Sequence, residues 1–362
     1  MTAFASLPTP AILIDRGKLE ANIGAMQQWC TTHGVELRPH IKTHKMVEVA
    51  RRQLAAGAAG LTCAKLGEAE AMLPSGVRSL FVAHSLVDPA QAPRLAALAE
   101  PIPDLRVAVT SEPHATALAA VAAKAGRRLA VMMAVDSGLG REGVRDPAAA
   151  QRLAAQLARS PQLELRGFYT HEGHFYGVPR AEQAPRVHAL IAQICAVRDA
   201  IDPGLPVWPG CSVSARLVAE QSAGRVQAVR PGAYMFGDLY LTEVTGVMAK
   251  EDVAVHVLAT VVDKPEPGLA LIDAGSKTFA SDRTADNIHA RAADGRDLAV
   301  VRVNEEHGFV RGAAVDSLQL GDRVAFIPAH ICPVINLTDE VTVIEGDRIT
   351  ATWRVEARGK TR

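Results

Sequence analysis

The segment Arg38-Pro39-His40-Ile41-Lys42-Thr43-His44-Lys45 is a dense basic cluster closing a short apolar run, Val35–Ile41. A lysine at the end of a buried parallel strand sits where a barrel displays its chemistry. Once desolvation and cationic neighbours favour its neutral amine, it can attack a carbonyl. Lys42 is therefore the candidate Schiff-base lysine, with His40 beside it; the plain alternative is a solvated basic turn.

Four further groupings bear on that choice. Asp136-Ser137-Gly138-Leu139-Gly140-Arg141 has glycines for a tight turn and an arginine able to reach an anionic ligand oxygen. Tyr169-Thr170-His171-Glu172-Gly173-His174-Phe175-Tyr176 gathers several groups able to exchange protons. Pro209-Gly210-Cys211-Ser212-Val213-Ser214 and Arg230-Pro231-Gly232-Ala233-Tyr234 are turns of small hydroxyls and glycine, the kind that bind phosphate at the end of a barrel. An imine-forming lysine together with two phosphate turns suits a phosphate-bearing aldehyde cofactor, pyridoxal 5′-phosphate. Near the C-terminus, His330 and Cys332 stand two apart in a segment expected to be extended, where such residues share a face. They could share one metal ion, Zn²⁺ being favoured by the sulfur; a packed histidine beside a buried thiol is the alternative.

The elements that must carry these groups follow from the pattern of apolar runs. Strands are expected at Val35–Ile41, Ala59–Cys63, Ser79–Ala83, Leu105–Val109, Leu129–Val135, Leu163–Tyr169, Pro206–Trp208 and Val226–Val229. Alanine-rich helical stretches lie between them, among them Met46–Ala56, Pro113–Ala125 and Ala181–Ile201. Alternating strands and helices of this number fit an α/β architecture, a (β/α)8 TIM-like barrel, better than an open sheet. After Gly246 the segments turn β-branched and alternating, without a convincing helix, and predict an antiparallel β domain. The expected division is an N-terminal strand, 1–16, packing with the β domain; a barrel, 17–244; and a C-terminal β domain, 245–362, carrying the metal pair.

Composition narrows the function. The 362 residues carry 39 Lys plus Arg and 39 Asp plus Glu, so no global field draws in nucleic acid or an anionic membrane. The five cysteines are scattered and odd in number, which argues for a reducing, cytoplasmic setting rather than a disulfide framework. The first residues, Met-Thr-Ala-Phe-Ala-Ser-Leu-Pro, show no charged region leading into an apolar stretch, so no signal peptide is expected. No apolar run approaches the roughly 20 residues that span a bilayer.

Taken together, the motifs resemble the D-threonine aldolase and D-serine dehydratase family, a branch of the alanine-racemase-like, fold-type III pyridoxal phosphate enzymes. The resemblance runs from Thr9-Pro10-Ala11 to Ala357-Arg358-Gly359. It is carried most specifically by the Arg38–Lys45 cluster, Ala64-Lys65-Leu66-Gly67-Glu68-Ala69-Glu70, Thr170–Tyr176, Asp273-Ala274-Gly275-Ser276-Lys277, Glu305-Glu306-His307-Gly308 and His330-Ile331-Cys332-Pro333.

The resemblance implies that Lys42 rather than Lys45 carries the cofactor. It places Arg141 at the cofactor ring oxygen, with His40 and Tyr169 also in contact, and Ser212, Ser214, Gly232 and Tyr234 around the phosphate. It makes His330 and Cys332 ligands of a divalent metal, Zn²⁺ or Mn²⁺, beside the substrate. It also implies a homodimer, each active site joining one barrel to the partner's β domain. The activity implied is a lyase on β-hydroxy D-amino acids: a retro-aldol cleavage, or a dehydration in which Lys42 removes the α-proton. For the cleavage His171 is the candidate base, directly or through metal-bound water, because a histidine titrates near working pH. Racemisation would need a second base on the other cofactor face, and a bare cofactor carrier would have no use for residues 246–362.

Overall fold

The computed structural model describes Phe4 and residues 6–362; Met1, Thr2, Ala3 and Ala5, the start of the expected 1–16 segment, lie outside the described residues. The chain forms two compact units. One comprises Gly24–Lys42, Val47–Gly232 and Lys360–Arg362; the other comprises the described residues up to Ile23, Thr43–Met46 and Ala233–Gly359.

The chain opens with strand β1 (Ala11–Asp15) and helix α1 (Arg16–Thr32). The barrel unit then holds eight parallel strands: β2 (Glu36–Leu37), β3 (Leu61–Cys63), β4 (Ser79–Val82), β5 (Asp104–Val109), β6 (Leu129–Ala134), β7 (Leu163–Tyr169), β8 (Val207–Trp208) and β9 (Ala228–Val229). Strands β3 to β8 pair in sequence order, and β2 pairs with β9. A parallel bridge from His40 to Thr62 links β2 to β3, and the Gln227 N–H donates to the Val207 carbonyl at 3.2 Å to link β9 to β8. All eight expected strands are present, but β2, β8 and β9 shrink to two residues each. Proline explains this: Pro39, Pro206, Pro209 and Pro231 border these strands, and a residue without an N–H cannot continue a ladder.

Helices fill the crossovers: α2 (Val47–Ala55), α3 (Leu66–Met72), α4 (Ala92–Ala99), α5 (Glu112–Lys124), α6 (Pro147–Ala158), α7 (Arg180–Asp199) and α8 (Ala215–Glu220). Helices α5 and α6 begin as their sequences direct, with Ser111 and Asp146 accepting backbone N–H groups from His114 and Ala149 and proline in the first turn. The strands' inner faces pack Phe81, Met132, Tyr169 and Trp208 together. Phe81 meets Tyr169 edge-on at 4.8 Å between ring centroids. Arg38 and Arg106 stack on Trp208 at 4.3 and 4.5 Å, so the barrel is a filled core and its chemistry is confined to the strand ends.

The second unit contains a nine-stranded sheet that includes β1. Its other strands are β10 (Val255–Glu266), β11 (Leu269–Ile272), β12 (Ala290–Ala292), β13 (Ala299–Val303), β14 (Gly308–Arg311), β15 (Arg323–Pro328), β16 (Glu340–Glu345) and β17 (Arg348–Arg354). The order is β11-β14-β13-β12-β15-β10-β1-β16-β17, antiparallel except where β1 runs parallel to β16. The absence of helices expected here is corrected. Helices α9 (Ser276–Phe279) and α10 (Ile331–Asn336) interrupt the strands. No helix among the described residues is long and apolar enough to cross a membrane.

Candidate active site

The strand-end groupings of the barrel unit meet one another. After β6, the Asp136 carboxylate accepts from the Gly138 and Gly140 N–H groups at 3.1 and 3.0 Å and from Arg145 Nε at 3.2 Å, folding the loop back on itself. Burial opposes ionisation of Asp136, but these donors outweigh it and hold the carboxyl below its ordinary range. Gly143 completes the return at φ 112°, where a Cβ would lie 2.8 Å from the Ala134 carbonyl oxygen, so only glycine closes this loop. Thr170 donates to the Ser137 hydroxyl at 2.8 Å and joins the β6 loop to the β7 loop. Between them lies a pocket lined by Asp136, Arg141, Glu142, Tyr169, Thr170 and His171.

His171 is the unusual titrating group here. Its pKa falls to about 2, first through burial and then through the positive charges of Lys42, Arg230 and Arg141, with His174 adding to them. The imidazole, expected to titrate near working pH, is instead held neutral and made weakly basic by burial and three cations. Those cations make this strand end a field for anions.

Lys42 is half-buried, and its backbone N–H donates to His40 Nδ1 at 3.3 Å. His40 is itself fixed through its backbone N–H, which donates to the Pro231 carbonyl at 2.9 Å. Lys45, the other lysine of the cluster, falls in the second unit with a left-handed backbone, φ 54°, and its carbonyl accepts from Ala357 N–H at 3.0 Å. Arg141 is largely exposed at the pocket rim and pairs with Glu142 at 3.3 Å.

The two expected phosphate turns touch: the Gly232 N–H donates to Ser212 Oγ at 3.1 Å. The Ser214 hydroxyl is engaged within the protein, accepting from Cys211 N–H at 3.0 Å and donating to Glu172 at 3.2 Å. Tyr234 is buried and belongs to the second unit.

Glu172 and Arg230 are the groups sequence reasoning left without a role. Glu172 is fully buried, and both carboxylate oxygens accept the Gly210 N–H at 3.0 and 3.1 Å, which ties the β7 loop to the turn after β8. Arg230 is buried under Tyr169, its guanidinium 5.1 Å from that ring, and donates to the Trp208 and Thr170 carbonyls. The apolar run Val226–Val229 ending in arginine was the only hint, because it places a cation at the end of a buried strand.

The residues fit pyridoxal phosphate. The hydroxyl of buried Tyr169 has no hydrogen-bond partner among the described residues, so its capacity is open to a ligand. Lys42, the cations around His171 and the joined Ser212 and Gly232 turns supply an amine and an anion-binding lining.

The second unit holds the expected metal pair, with a correction to its geometry. The segment is not extended: His330 is the N-cap of α10, at φ −140° and ψ 118°, and Cys332 lies in the helix's first turn. Pro333 is also in that turn, where its missing N–H costs no hydrogen bond, so the sequence carried a helix-start signal that alternation obscured. The two side chains still lie within hydrogen-bond reach of each other. His330 Nδ1 lies 2.6 Å from an Asp282 carboxylate oxygen, and Cys332 Sγ lies 3.1 Å from the hydroxyl of Thr43, the residue after Lys42 in sequence.

Burial resists charge on His330, but Cys332, Asp238 and Asp282 override it and push the pKa up to about 10. Among the described residues no group of three or more His, Cys, Asp or Glu side chains gathers as a metal cage. The donor set fits a two-donor site: Nδ1 engaged by a carboxylate leaves Nε2 as the ligand, with a thiol alongside. Neither Asp282 nor Asp238 could be found from spacing, since they lie 48 and 92 positions before His330.

Comparison with known proteins bears on the fold and the class of activity. The model of the alanine racemase N-terminal domain matches residues 14–240, and that of the putative serine dehydratase domain matches residues 254–344. A D-threonine aldolase from Arthrobacter sp. is 32% identical over 99% of this chain and 94% of its own length. A D-threo-3-hydroxyaspartate dehydratase from Delftia sp. is 34% identical over 96% of this chain and 97% of its own. The crystal structure of a D-threonine aldolase from Filomicrobium marinum superposes with a TM-score of 0.88 at 28% identity, covering 99% of this chain and 98% of that one. With both halves matched and the likeness running end to end, the chain belongs to the family of D-threonine aldolases and D-serine dehydratases, lyases built on an alanine-racemase-like fold.

Proposed function

We propose that this protein is a pyridoxal-phosphate- and divalent-metal-dependent lyase that cleaves β-hydroxy D-amino acids, D-threonine among them, into glycine and an aldehyde. The observation that carries this reading is the end-to-end likeness to a D-threonine aldolase, 32% identical over 99% of this chain, with His171 lining the strand-end pocket as a titrating side chain distinct from Lys42. Retro-aldol cleavage needs a base for the β-hydroxyl proton that is distinct from the lysine holding the cofactor.

Lys42 would hold the cofactor covalently, Arg141 and Tyr169 would contact its ring, and the Ser212 and Gly232 turns, with Tyr234, its phosphate. His330 Nε2 and Cys332 Sγ would hold Zn²⁺ or Mn²⁺. When bound, the cofactor supplies an electron sink at the substrate α-carbon and the ion supplies positive charge for the β-oxygen. His171 accepts the β-hydroxyl proton as the Cα–Cβ bond breaks. The nearby cations bind and orient the anionic groups of cofactor and substrate. Asp136 and Glu172 hold the loops that carry these groups in one arrangement.

Dehydration is the second reading, favoured by the 34% identity to the Delftia dehydratase. There the Lys42 amine takes the α-proton and hydroxide leaves. Incubation with D-threonine, cofactor and Mn²⁺ decides between them: acetaldehyde and glycine are expected, while 2-oxobutanoate and ammonia would replace the aldolase by the dehydratase. Five free thiols support a cytoplasmic location. The family resemblance supports a homodimer, which sedentation by analytical ultracentrifugation checks.

A further inference from the structure

His330 and Cys332 flank a single residue, Ile331, and the turn between them is held by one side chain. The Ile331 N–H donates to Asp238 Oδ2 at 3.1 Å, while Oδ1 of the same carboxylate accepts from the Leu241 N–H at 3.0 Å. Asp238 is fully buried, and among the described residues no lysine or arginine pairs with it. Burying a carboxylate against backbone donors and the His330 ring is costly, so its retention points to the geometry it maintains. Tyr240, two residues on, reinforces that geometry. Its ring meets the His330 ring edge-on at 5.6 Å, and its backbone N–H donates to the Ala329 carbonyl at 3.2 Å.

We propose that Asp238 is a positioning residue for the metal donors: by fixing the Ile331 amide it sets the separation and direction of His330 and Cys332, while Asp282 fixes the imidazole ring. The proposal rests on the reading of His330 and Cys332 as metal ligands. Asp238 touches neither substrate nor ion in this scheme. It acts through the backbone, as outer carboxylates act on ligands elsewhere.

The test uses cofactor-loaded, metal-stripped protein titrated with Mn²⁺ against a chromogenic chelator, with Co²⁺ as a second probe for its sulfur-to-cobalt absorption. Asp238→Asn keeps the volume but turns an amide toward the Ile331 and Leu241 donors. It should weaken Mn²⁺ binding roughly 10- to 100-fold and diminish the cobalt–thiolate band, with the melting temperature of the metal-free protein little changed. Mn²⁺ affinity within twofold of wild type would overturn the proposal. So would a fall in affinity matched by a fall in metal-free stability, which marks a merely structural role.

Should Asp238→Asn not fold, Ile331→Pro carries the same two outcomes. It removes the donated N–H at the first helical position, where proline is tolerated, and His330 already has the extended backbone that a following proline requires. Because it also replaces the buried Ile331 side chain, its Mn²⁺ affinity is compared with that of Ile331→Val, which trims the side chain and keeps the N–H. Wild-type protein that binds no Mn²⁺ at all would overturn the metal reading and this proposal together. Equal binding by wild type and variant would overturn this one alone.

Discussion

Two histidines in this chain are pushed in opposite directions. At the barrel's strand ends, burial and then Lys42, Arg230 and Arg141 drive His171 down to about 2. In the β-rich unit, Cys332, Asp238 and Asp282 overcome burial and raise His330 to about 10. Burial acts alike on both, so the sign of the neighbouring charge decides the outcome. One surrounding, rich in cations, favours the neutral ring; the other, rich in acidic groups, favours the protonated one. The groups that set each histidine's state belong to one unit: Lys42, Arg230 and Arg141 lie in the barrel unit with His171, and Cys332, Asp238 and Asp282 lie in the β-rich unit with His330.

The contrast breaks most completely at Lys42. Lys42→Ala should abolish the visible imine absorption of the purified protein and lower kcat on the order of 10⁴-fold or more. Persistence of the absorption would move the covalent link elsewhere, with Lys45 the first residue to test. Next in size, His171→Ala should lower kcat by about 10²- to 10⁴-fold, the usual contribution of a positioned base, while the cofactor spectrum stays intact. With burial and the neighbouring cations lowering the His171 pKa to about 2, kcat/KM of the wild type should show no fall between pH 8 and pH 5 from its protonation. A steep acid limb in that range that vanishes in His171→Gln would show that the cationic field does not hold the ring neutral. In the other surrounding, His330→Ala should remove the metal-dependent part of the activity, about 10²-fold, with cofactor still bound. Loss of cofactor absorption in this variant would make His330 structural.

What could be read from the sequence follows the same division. The barrel was legible because each of its strands is a short apolar run closed by a turn, and because Lys42, Arg141, His171, Ser212 and Gly232 all fall just past such a run. Strand position alone therefore gathers them. Ser214 was legible as a turn residue, but its hydroxyl faces Glu172, a partner 42 residues away that no local pattern names. The β unit was legible only as a class. Its sheet mixes strands in the order β12-β15-β10-β1, and β1 pairs with β10 across more than two hundred residues. The same long-range closure delivers Asp282 to His330 and Asp238 to Ile331, so the charges that set the histidine's state were invisible. The local error at α10 had a different cause: His-x-Cys was read by strand alternation, although Pro333 marks the first turn of a helix.

The smallest predicted effect is on stability and separates burial from neighbouring charge in a third histidine. His256 lies in β10 opposite Leu13, and its pKa falls to about 4, chiefly through burial and then through Lys18, with Asp15 opposing. A folded-state value below the ordinary 6.5 means that between the two the unfolded chain binds a proton the folded chain refuses. The contribution is therefore neutral above pH 6.5 and grows unfavourable as pH falls, reaching its full size below about pH 4. With burial incomplete, about 2 kcal/mol of stability should be lost over that window. His256→Gln cannot titrate and should lose correspondingly less, seen as a smaller drop in urea midpoint between pH 7 and pH 4.5. Equal drops in the two proteins would mean that His256 takes up its proton in the folded state at little cost, so that burial does not hold its ring neutral.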